Sequence, residues 1–256
     1  AISPERFRRL ADLNIDAIIC DSTNANHSGC SVSEGELFEG LLANVRESPA
    51  RVVIACFASN IARLQTLGNV AHMSGRYLAL LGRSLHNMTA CAKAAGYLQQ
   101  NFVPVSNADL GYLLPSETLI VATGSQGELN AALHRLAMDS HPDVTLSAGD
   151  HIIFSAKTIP GNEAEVERLI NAFEARHIRV THASRTGEDA RQLHASGHPC
   201  ADELLQMYRW VKPRIAIPVH GEAEHMRCNA ALAKAAGVPF QLQGLNGDLF
   251  DLVRSK

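Results

Sequence analysis

The sequence predicts an α/β protein with a mainly parallel sheet flanked by helices, and two observations support this class. Short runs of aliphatic and β-branched residues recur along the 256 residues, each of a length that suits a strand buried on both faces. Between them lie helix-length segments with apolar residues three and four positions apart, typical of helices that pack one face against a sheet. Strands that alternate with helices in this way predict parallel pairing.

Each apolar run predicts one strand. The strands are expected at Asp16–Cys20, Arg51–Phe57, Tyr77–Leu81, Thr118–Thr123, His151–Ser155 and Ile215–Val219. The helical spacing predicts helices at Ser59–Val70, Ser84–Leu98, Glu128–Met138, Asn162–Arg176, Ala201–Val211 and Glu224–Ala236. Gly96, Gly149 and Gly237 follow helices or enter turns, where glycine ends regular structure. We expect Gln99–Ser116 to be a connecting loop, because no periodic pattern runs through it.

Composition, charge and cysteine spacing limit the kinds of protein that this sequence can encode. The 46% hydrophobic and 19% charged residues are ordinary for a globular protein, and a net charge of −3 gives no electrostatic sign of a nucleic-acid partner. No run approaches the ~18 apolar residues of a membrane span, so we expect no membrane partner. The six cysteines are dispersed without a Cys-x-x-Cys pair, which favours reduced thiols and a cytoplasmic protein.

Polar motifs follow several predicted strands, at the edge where ligands gather in open α/β sheets. "DSTNANHSG" follows the first strand, "GSQGE" the fourth and "HGE" the sixth, while "SGHP" precedes a helix. Each motif alone also fits a structural role. Asp21 fits an Asx turn or a helix cap, "GSQGE" a turn before a helix, "SGHP" a loop whose Pro199 opens a helix, and His220 an ordinary loop histidine. A functional interpretation therefore depends on the whole set.

Taken together, "DSTNA", "FASNIARLQ", "GRS", "ATGSQGE", "IPGNE", "SGHP" and "PVHGE" occur in an order and spacing that resemble the ribonuclease J family. This family belongs to the β-CASP branch of the metallo-β-lactamase-fold hydrolases. The resemblance covers about Ala11 to Leu252 and implies a β-CASP domain inserted in a partial metallo-β-lactamase αββα fold. The implied boundaries are residues 1–49 and 193–256 for the metallo-β-lactamase segments and 50–192 for the β-CASP domain.

The resemblance also implies a chemistry, that of zinc-dependent ribonucleases with two metal ions that cleave RNA as endonucleases, 5′-to-3′ exonucleases or both, in RNA processing and decay. Asp21 resembles the carboxylate that bridges the two metals, and His220 resembles a metal ligand. His198 resembles the histidine that donates a proton or stabilises charge at the scissile phosphate. Glu34 resembles an acidic residue that orients this histidine, with Glu36 as an alternative.

Further residues are assigned by the same resemblance. Ser196 and Gly197 offer a hydroxyl group and backbone N–H groups to phosphate oxygens, and Ser125 and Gln126 are candidates for contacts with RNA or phosphate. Glu222 is expected to orient a metal-binding histidine from outside the ligand set. His27 follows Asp21 in a polar turn, and the resemblance assigns it no role.

The sequence departs from the family pattern in one respect. The His-x-His-x-Asp-His motif that should precede "DSTN" is missing, and only twenty residues stand before Asp21. Asp21 and His220 are too few to hold two zinc ions, because catalytic zinc sites take about three protein ligands each. The chain is thus expected to be a fragment or a processed product, inactive alone, whose partners are RNA and a missing amino-terminal metallo-β-lactamase part.

Other interpretations remain open at this stage. Manganese could replace zinc, and a homodimer is a further expected assembly. The segment could instead be a non-catalytic module that binds RNA or assists assembly, or a metallo-hydrolase of the same fold that acts on another substrate. A generic nucleotide-binding α/β protein is disfavoured, since the sequence lacks both a Walker phosphate loop and a Gly-x-Gly-x-x-Gly fingerprint.

Overall fold

The computed structural model describes residues 3–99, 101–182 and 193–252. Its contacts divide the chain into two compact units. The five-stranded unit is Val32–Ala195, and the three-stranded unit comprises the described residues of Ala1–Ser31 and Ser196–Lys256. The division therefore falls at 31/32 and 195/196, whereas the predicted domain boundaries at 49/50 and 192/193 stay a prediction.

The described strands, in chain order, are β1 (Ala17–Asp21), β2 (Val52–Ala55), β3 (Tyr77–Leu81), β4 (Thr118–Ala122), β5 (His151–Phe154), β6 (Arg179–Thr181), β7 (Ile215–Val219) and β8 (Phe240–Gln241). The described α-helices are α1 (Pro4–Arg8), α2 (Leu37–Arg46), α3 (Ile61–Met73), α4 (Arg83–Ala94), α5 (Ala132–Ala137), α6 (Glu163–Glu174), α7 (Ala201–Val211) and α8 (Ala223–Ala235). Short 3₁₀-helices lie at Arg9–Leu13, Glu34–Glu36, Asn107–Tyr112 and Pro115–Glu117.

The five-stranded unit is a parallel sheet with the order β3-β4-β2-β5-β6. Every residue of β2, β4 and β5 is buried. On one face Val52 and Ile54 belong to a core that includes apolar residues of α2 and α3. On the other face Val53 and Ala55 belong to a core that includes residues of α5 and α6. Helices on both faces explain why these strands are continuous apolar runs in the sequence.

The three-stranded unit has the order β1-β7-β8, also parallel. One face of its sheet, with Cys20 and Ala216, packs against α7 and α8 through Leu204 and Ala233. The opposite face leaves apolar side chains open within the described part of the chain: Ile19 is 69% exposed, Phe240 56% and Val219 36%. This sheet is therefore covered on one face alone by the described residues.

The predicted fold class and all six predicted strands are confirmed, and the strand ends agree within two residues. The prediction omitted α2, although "LFEGLLANVR" has apolar residues at helical spacing, and it omitted β6 and β8, which have three and two residues. The expected helix start at Glu128 was wrong. The Glu128 carboxylate accepts a hydrogen bond from the Gln126 amide in a turn, so α5 begins later. No helix in the described residues has the length and apolar character of a membrane span.

Candidate metal centre

The carboxyl ends of β1 and β7 bring Asp21 and the histidine that follows Val219 together. The two strands are parallel neighbours with Asp21 paired to Val219, so the last residue of β1 lies beside the turn after β7. His220 Nδ1 is 3.0 Å from Asp21 Oδ2. Parallel pairing thus delivers two residues that are distant in sequence to one point at the sheet edge.

A third side chain reaches the same carboxylate from the segment before α7. His198 Nδ1 lies 2.9 Å from Asp21 Oδ2, and its ring stacks on that of His220 with the centroids 5.3 Å apart. Asn24 holds this segment in place, because its amide donates hydrogen bonds to Ser196 Oγ at 3.0 Å and to the His198 carbonyl at 3.1 Å. Sequence reasoning noted Asn24 only as a polar residue at a strand end.

Asp21, His198 and His220 together have the donor set of a metal site. Each offers one ligand atom, and these atoms lie within 4.8 Å of one another. Two imidazole nitrogens and a carboxylate oxygen are ligands that zinc prefers, and a catalytic zinc ion takes three protein ligands and keeps one position open. The residues present therefore fit one zinc ion by their chemistry, and a second ion would need further ligands.

The backbone at His220 is held in an uncommon conformation. Its φ is 55°, in the left-handed region that residues with a side chain seldom adopt. Thr23 Oγ1 donates a hydrogen bond to the His220 carbonyl at 3.0 Å and lies 3.0 Å from His220 Nδ1. Thr23, which sequence reasoning did not single out, helps to hold this conformation.

The environment of Asp21 favours its charged form. Burial raises the pKa of this carboxyl group, but the hydrogen bonds from the Thr23 amide and from His198 outweigh burial, so the pKa lies below its ordinary value. The Thr23 amide donates to Oδ1 at 2.9 Å, which leaves Oδ2 directed to the two histidines. A carboxylate that stays ionised near neutral pH is suited to a cation.

Asn229, a buried residue of α8, fixes the end of β1 from the helix side. Its amide donates hydrogen bonds to the Asp21 carbonyl and to Ser22 Oγ, both at 3.0 Å, and it accepts one from the Tyr208 hydroxyl at 2.7 Å. Sequence reasoning missed this residue. The available signal was an asparagine on the apolar face of a predicted helix, where burial requires hydrogen-bond partners.

Three other residues of the three-stranded unit have predicted roles at this centre: Ser196, Gly197 and Glu222. Ser196 Oγ accepts hydrogen bonds from Asn24 and from the His198 amide. Gly197 has open space where a side chain would stand. Glu222 immediately precedes α8, and no hydrogen bond or ion pair joins its carboxylate to His220 in the described part of the chain. Its orienting role stays a prediction.

Glu34, Ser125 and Gln126 belong to the five-stranded unit. The Glu34 carboxylate accepts hydrogen bonds from Arg63 at 2.8 and 3.0 Å and from Asn60 at 2.7 Å, so its observed partners are not histidines. Ser125 and Gln126 are 2% and 5% exposed, and the Gln126 amide group bonds the Lys157 carbonyl and the Ile159 amide. These contacts tie two loops together, so contacts of either residue with RNA stay a prediction.

Comparison with known protein families matches two segments of the chain. Residues 49–173 match the family model described as the ribonuclease J β-CASP domain. Residues 188–242 match the model described as the RNA specificity domain of Zn-dependent metallo-hydrolases. The second segment contains His198 and His220, two of the three residues at the candidate centre.

Curated proteins named ribonuclease J are similar over almost the whole chain. The relative from Sinorhizobium meliloti is 37% identical over 247 residues, which is 96% of this chain and 43% of the relative. The relative from Mycolicibacterium smegmatis is 39% identical over 253 residues, 97% of this chain and 44% of the relative. A relative from Helicobacter pylori is 32% identical over 237 residues, which is 91% of this chain and 33% of the relative. The chain thus spans less than half the length of these relatives.

Proposed function

The chain belongs to the ribonuclease J family, whose β-CASP domain and RNA specificity domain it carries, and we propose that it forms part of a metal-dependent ribonuclease in RNA processing and decay. The observation that carries the proposal is the convergence of Asp21, His198 and His220 at the ends of β1 and β7, with their ligand atoms within 4.8 Å. An ionised carboxylate beside two imidazoles is a constellation suited to phosphodiester hydrolysis.

Asp21 and His220 hold the metal in this proposal, and zinc is the ion that suits them, with manganese as the alternative. When bound, the ion supplies Lewis-acid polarisation of the phosphoryl group. The complete site holds two ions, and its remaining ligands come from an amino-terminal metallo-β-lactamase part outside this chain. The greater length of the relatives supports this arrangement. On this account the chain alone does not cleave RNA.

In this proposal His198 donates the proton that the leaving oxygen takes up. Hydrogen bonding of Nδ1 to the Asp21 carboxylate fixes the ring and directs Nε2 away from that carboxylate. The side chain is 40% exposed, so Nε2 is accessible to a substrate oxygen. Protonated there, His198 donates to the leaving oxygen of the cleaved phosphodiester, a role worth about 10²- to 10⁴-fold in rate. In this chain alone His198 can be the third ligand of one zinc ion, whereas in the proposed complete site the amino-terminal part supplies that ligand and His198 is left for the proton transfer.

Ser196 and Gly197 bind the phosphate. Ser196 Oγ already accepts two hydrogen bonds from its neighbours, so its own proton is left to donate to a phosphate oxygen. The open space at Gly197 lets a phosphate approach the backbone amide closely. The cytoplasm and a homodimer complete the proposal, and six dispersed cysteines without a Cys-x-x-Cys pair agree with a reducing compartment.

Cleavage of a labelled single-stranded RNA by the full-length protein that contains this chain tests the proposal. We expect Asp21→Asn and His220→Ala to abolish cleavage and to lower zinc content, and His198→Ala to lower cleavage at least about 100-fold while zinc is retained. His72→Ala is the matched control, because His72 is an exposed residue of α3. Wild-type cleavage rates in all three site variants would refute the assignment.

A further inference from the structure

The start of helix α7 is bonded to the loop that follows β1 at three alternate loop residues, His27, Gly29 and Ser31. The Ala201 amide donates a hydrogen bond to the His27 carbonyl at 2.9 Å, and the Asp202 amide donates one to the Gly29 carbonyl at 3.1 Å. Amides in the first turn of a helix have no partner within the helix, so the loop supplies acceptors that the helix lacks. His27, to which the family resemblance assigned no role, takes part through its backbone.

Glu203 contributes a carboxylate to this contact. Its Oε2 accepts hydrogen bonds from the Ser31 amide at 2.8 Å and from the Cys200 amide at 2.9 Å, and its Oε1 accepts one from the Ser31 hydroxyl group at 2.8 Å. The bond from Cys200 belongs to a capping box, which is common at helix starts. The two bonds from Ser31 lie outside that motif, since Ser31 and Glu203 are 172 residues apart in the sequence. One carboxylate therefore joins the loop to the helix start through charge-assisted hydrogen bonds.

Pro199 connects this contact to His198 through a stiff piece of backbone. Proline fixes its own φ at about −65° and restricts the residue before it to extended conformations. Asn24 holds one end of this piece, because its amide donates a hydrogen bond to the His198 carbonyl at 3.1 Å. Glu203 holds the other end, because it accepts the hydrogen bond of the Cys200 amide. The position of the His198 side chain therefore depends on both fixed ends.

We propose that Glu203 is a positioning residue that holds the His198 ring in place for proton donation through its contacts with Ser31 and Cys200. This inference rests on the proposed function, because it assumes that His198 donates a proton to the leaving oxygen. A proton donor must lie within hydrogen-bond reach of the atom that it protonates, and a displacement of about 1 Å can lower a rate about 100-fold. Removal of the Glu203 carboxylate releases one end of the backbone around Pro199, so the proton transfer becomes slower.

Cleavage of a labelled single-stranded RNA by the full-length protein that contains this chain tests the role of Glu203 in two backgrounds. In the wild-type background, we expect Glu203→Ala to lower kcat about 10- to 100-fold, with KM within about twofold and zinc content unchanged. In the His198→Ala background, the same substitution should change kcat less than about twofold, because a residue that acts through His198 then has nothing to position. A loss caused by misfolding would have the same size in both backgrounds.

Two further variants separate positioning from the loss of an acidic residue at the helix start. Glu203→Gln keeps an oxygen for the Ser31 and Cys200 amides and offers its NH₂ group to the Ser31 hydroxyl oxygen, so kcat should stay within about threefold of wild type. Asp202→Ala is the matched control, because Asp202 is the neighbouring acidic residue of the first turn and its side chain is exposed. This substitution weakens the interaction with the helix dipole and leaves the Asp202 amide in place, so kcat should stay within about twofold of wild type.

Four results would overturn the positioning role. They are a wild-type kcat in Glu203→Ala, a loss of equal size in the two backgrounds, a loss in Glu203→Gln as large as that in Glu203→Ala, and a similar loss in Asp202→Ala. Failure of this role is distinct from failure of the proposed function. In the first case His198→Ala alone still lowers cleavage. Cleavage at the wild-type rate in His198→Ala would instead refute the proton donation by His198, and the positioning role with it.

Discussion

The two sheets of this protein differ in how completely their faces are covered. The central strands of the five-stranded unit are buried along their whole length, with helices on both faces. In the three-stranded unit α7 and α8 cover one face, while Ile19 and Phe240 on the other are 69% and 56% exposed. The first unit therefore satisfies its own packing requirements within the described residues, and the second leaves an apolar face open beside the candidate metal centre.

Stability and the candidate site are associated with different parts of the molecule. Buried sheet residues contribute most to stability, since in a doubly covered sheet alternate side chains remove apolar surface from water on the two faces. The metal-centre residues lie at a strand end of the less covered sheet, and Asp21, His198 and His220 are all at least partly exposed. Such openness suits the proposal that further ligands come from another segment. Four predictions test the comparison, beginning with the largest effect.

The largest effect is expected from two matched phenylalanines. Phe154 ends β5 with no exposed surface, and Phe240 begins β8 with 56% exposed. Phe154→Ala should lower the free energy of unfolding by about 3–5 kcal/mol, the range for buried aromatic residues. Phe240→Ala should cost less than about 1 kcal/mol, because little surface is lost from the core. Urea unfolding followed by circular dichroism measures both. Equal losses would mean that the open face is covered.

The second effect is a loss of folding stability at acidic pH that depends on His151. Burial, with smaller contributions from Arg179 and Arg76, lowers the pKa of His151 from 6.5 to about 4, while Ser48 and Thr181 bond its ring nitrogens at 2.6 and 2.7 Å. Because the unfolded chain takes up the proton first, stability is full above pH 6.5 and is lost as the pH falls towards 4. The difference corresponds to roughly 3 kcal/mol.

His151→Gln stays neutral at every pH, so this part of the acid dependence should disappear in that variant. Trp210, the one tryptophan of the sequence, belongs to α7 in the three-stranded unit and reports that unit by fluorescence. The lowered pKa of Asp21 contributes stability that is present above its ordinary value of 3.8 and is lost at still lower pH. Trp210 fluorescence should therefore change at lower pH than the circular dichroism. Equal pH dependence of wild type and His151→Gln would contradict the account.

A smaller effect is expected from Asn229, which joins stability to the metal centre. Asn229→Ala removes the acceptor of the Tyr208 hydroxyl and a donor to the Asp21 carbonyl, so it should cost about 1–3 kcal/mol. Zinc affinity should fall about 10- to 100-fold, as when residues that support metal ligands are removed. Asn171→Ala, at an exposed position of α6, should change neither quantity. Unaltered zinc affinity in Asn229→Ala would show that β1 is positioned without it.

The smallest effect is expected at Ile19. Because 69% of its surface is already exposed on the open face, Ile19→Thr should change the free energy of unfolding by less than about 0.5 kcal/mol. Ile54→Thr, at a fully buried position of β2, is the comparison and should cost several times more, because it places a hydroxyl group in the core. A loss of similar size in both variants would show that Ile19 is packed in solution.

Sequence patterns were sufficient where a structural element is long or continuously apolar. The buried strands of the five-stranded unit and the helix Ala201–Val211 were predictable for this reason. Strand β8, with two residues, offers no periodicity to detect. Helix α2 did offer one, since Leu37, Leu41 and Val45 recur at helical spacing and are buried, so this helix was predictable from the sequence.

The candidate site was predictable in its members and not in its contacts. The family resemblance of the motifs around Asp21, His198 and His220 singled out these residues, and the position of Asp21 and His220 after buried strands agreed with it. The pairing of β1 with β7 depends on tertiary packing, as does the support from Asn229. The contact of Glu34 with the buried Arg63 was equally beyond the pattern, because an arginine with 1% exposure looks like a surface residue of helix α3 in sequence.

Zinc content per chain tests whether Asp21 and His220 hold a metal ion. The chain is dialysed against zinc and then against a weak chelator, and zinc is measured by elemental mass spectrometry after each step. We expect at most one weakly held zinc ion for this chain. We also expect that Asp21→Asn and His220→Ala abolish zinc uptake before the chelator step, whereas His72→Ala retains it. Two tightly held zinc ions, or uptake that persists in both site variants, would show that other residues form the metal centre.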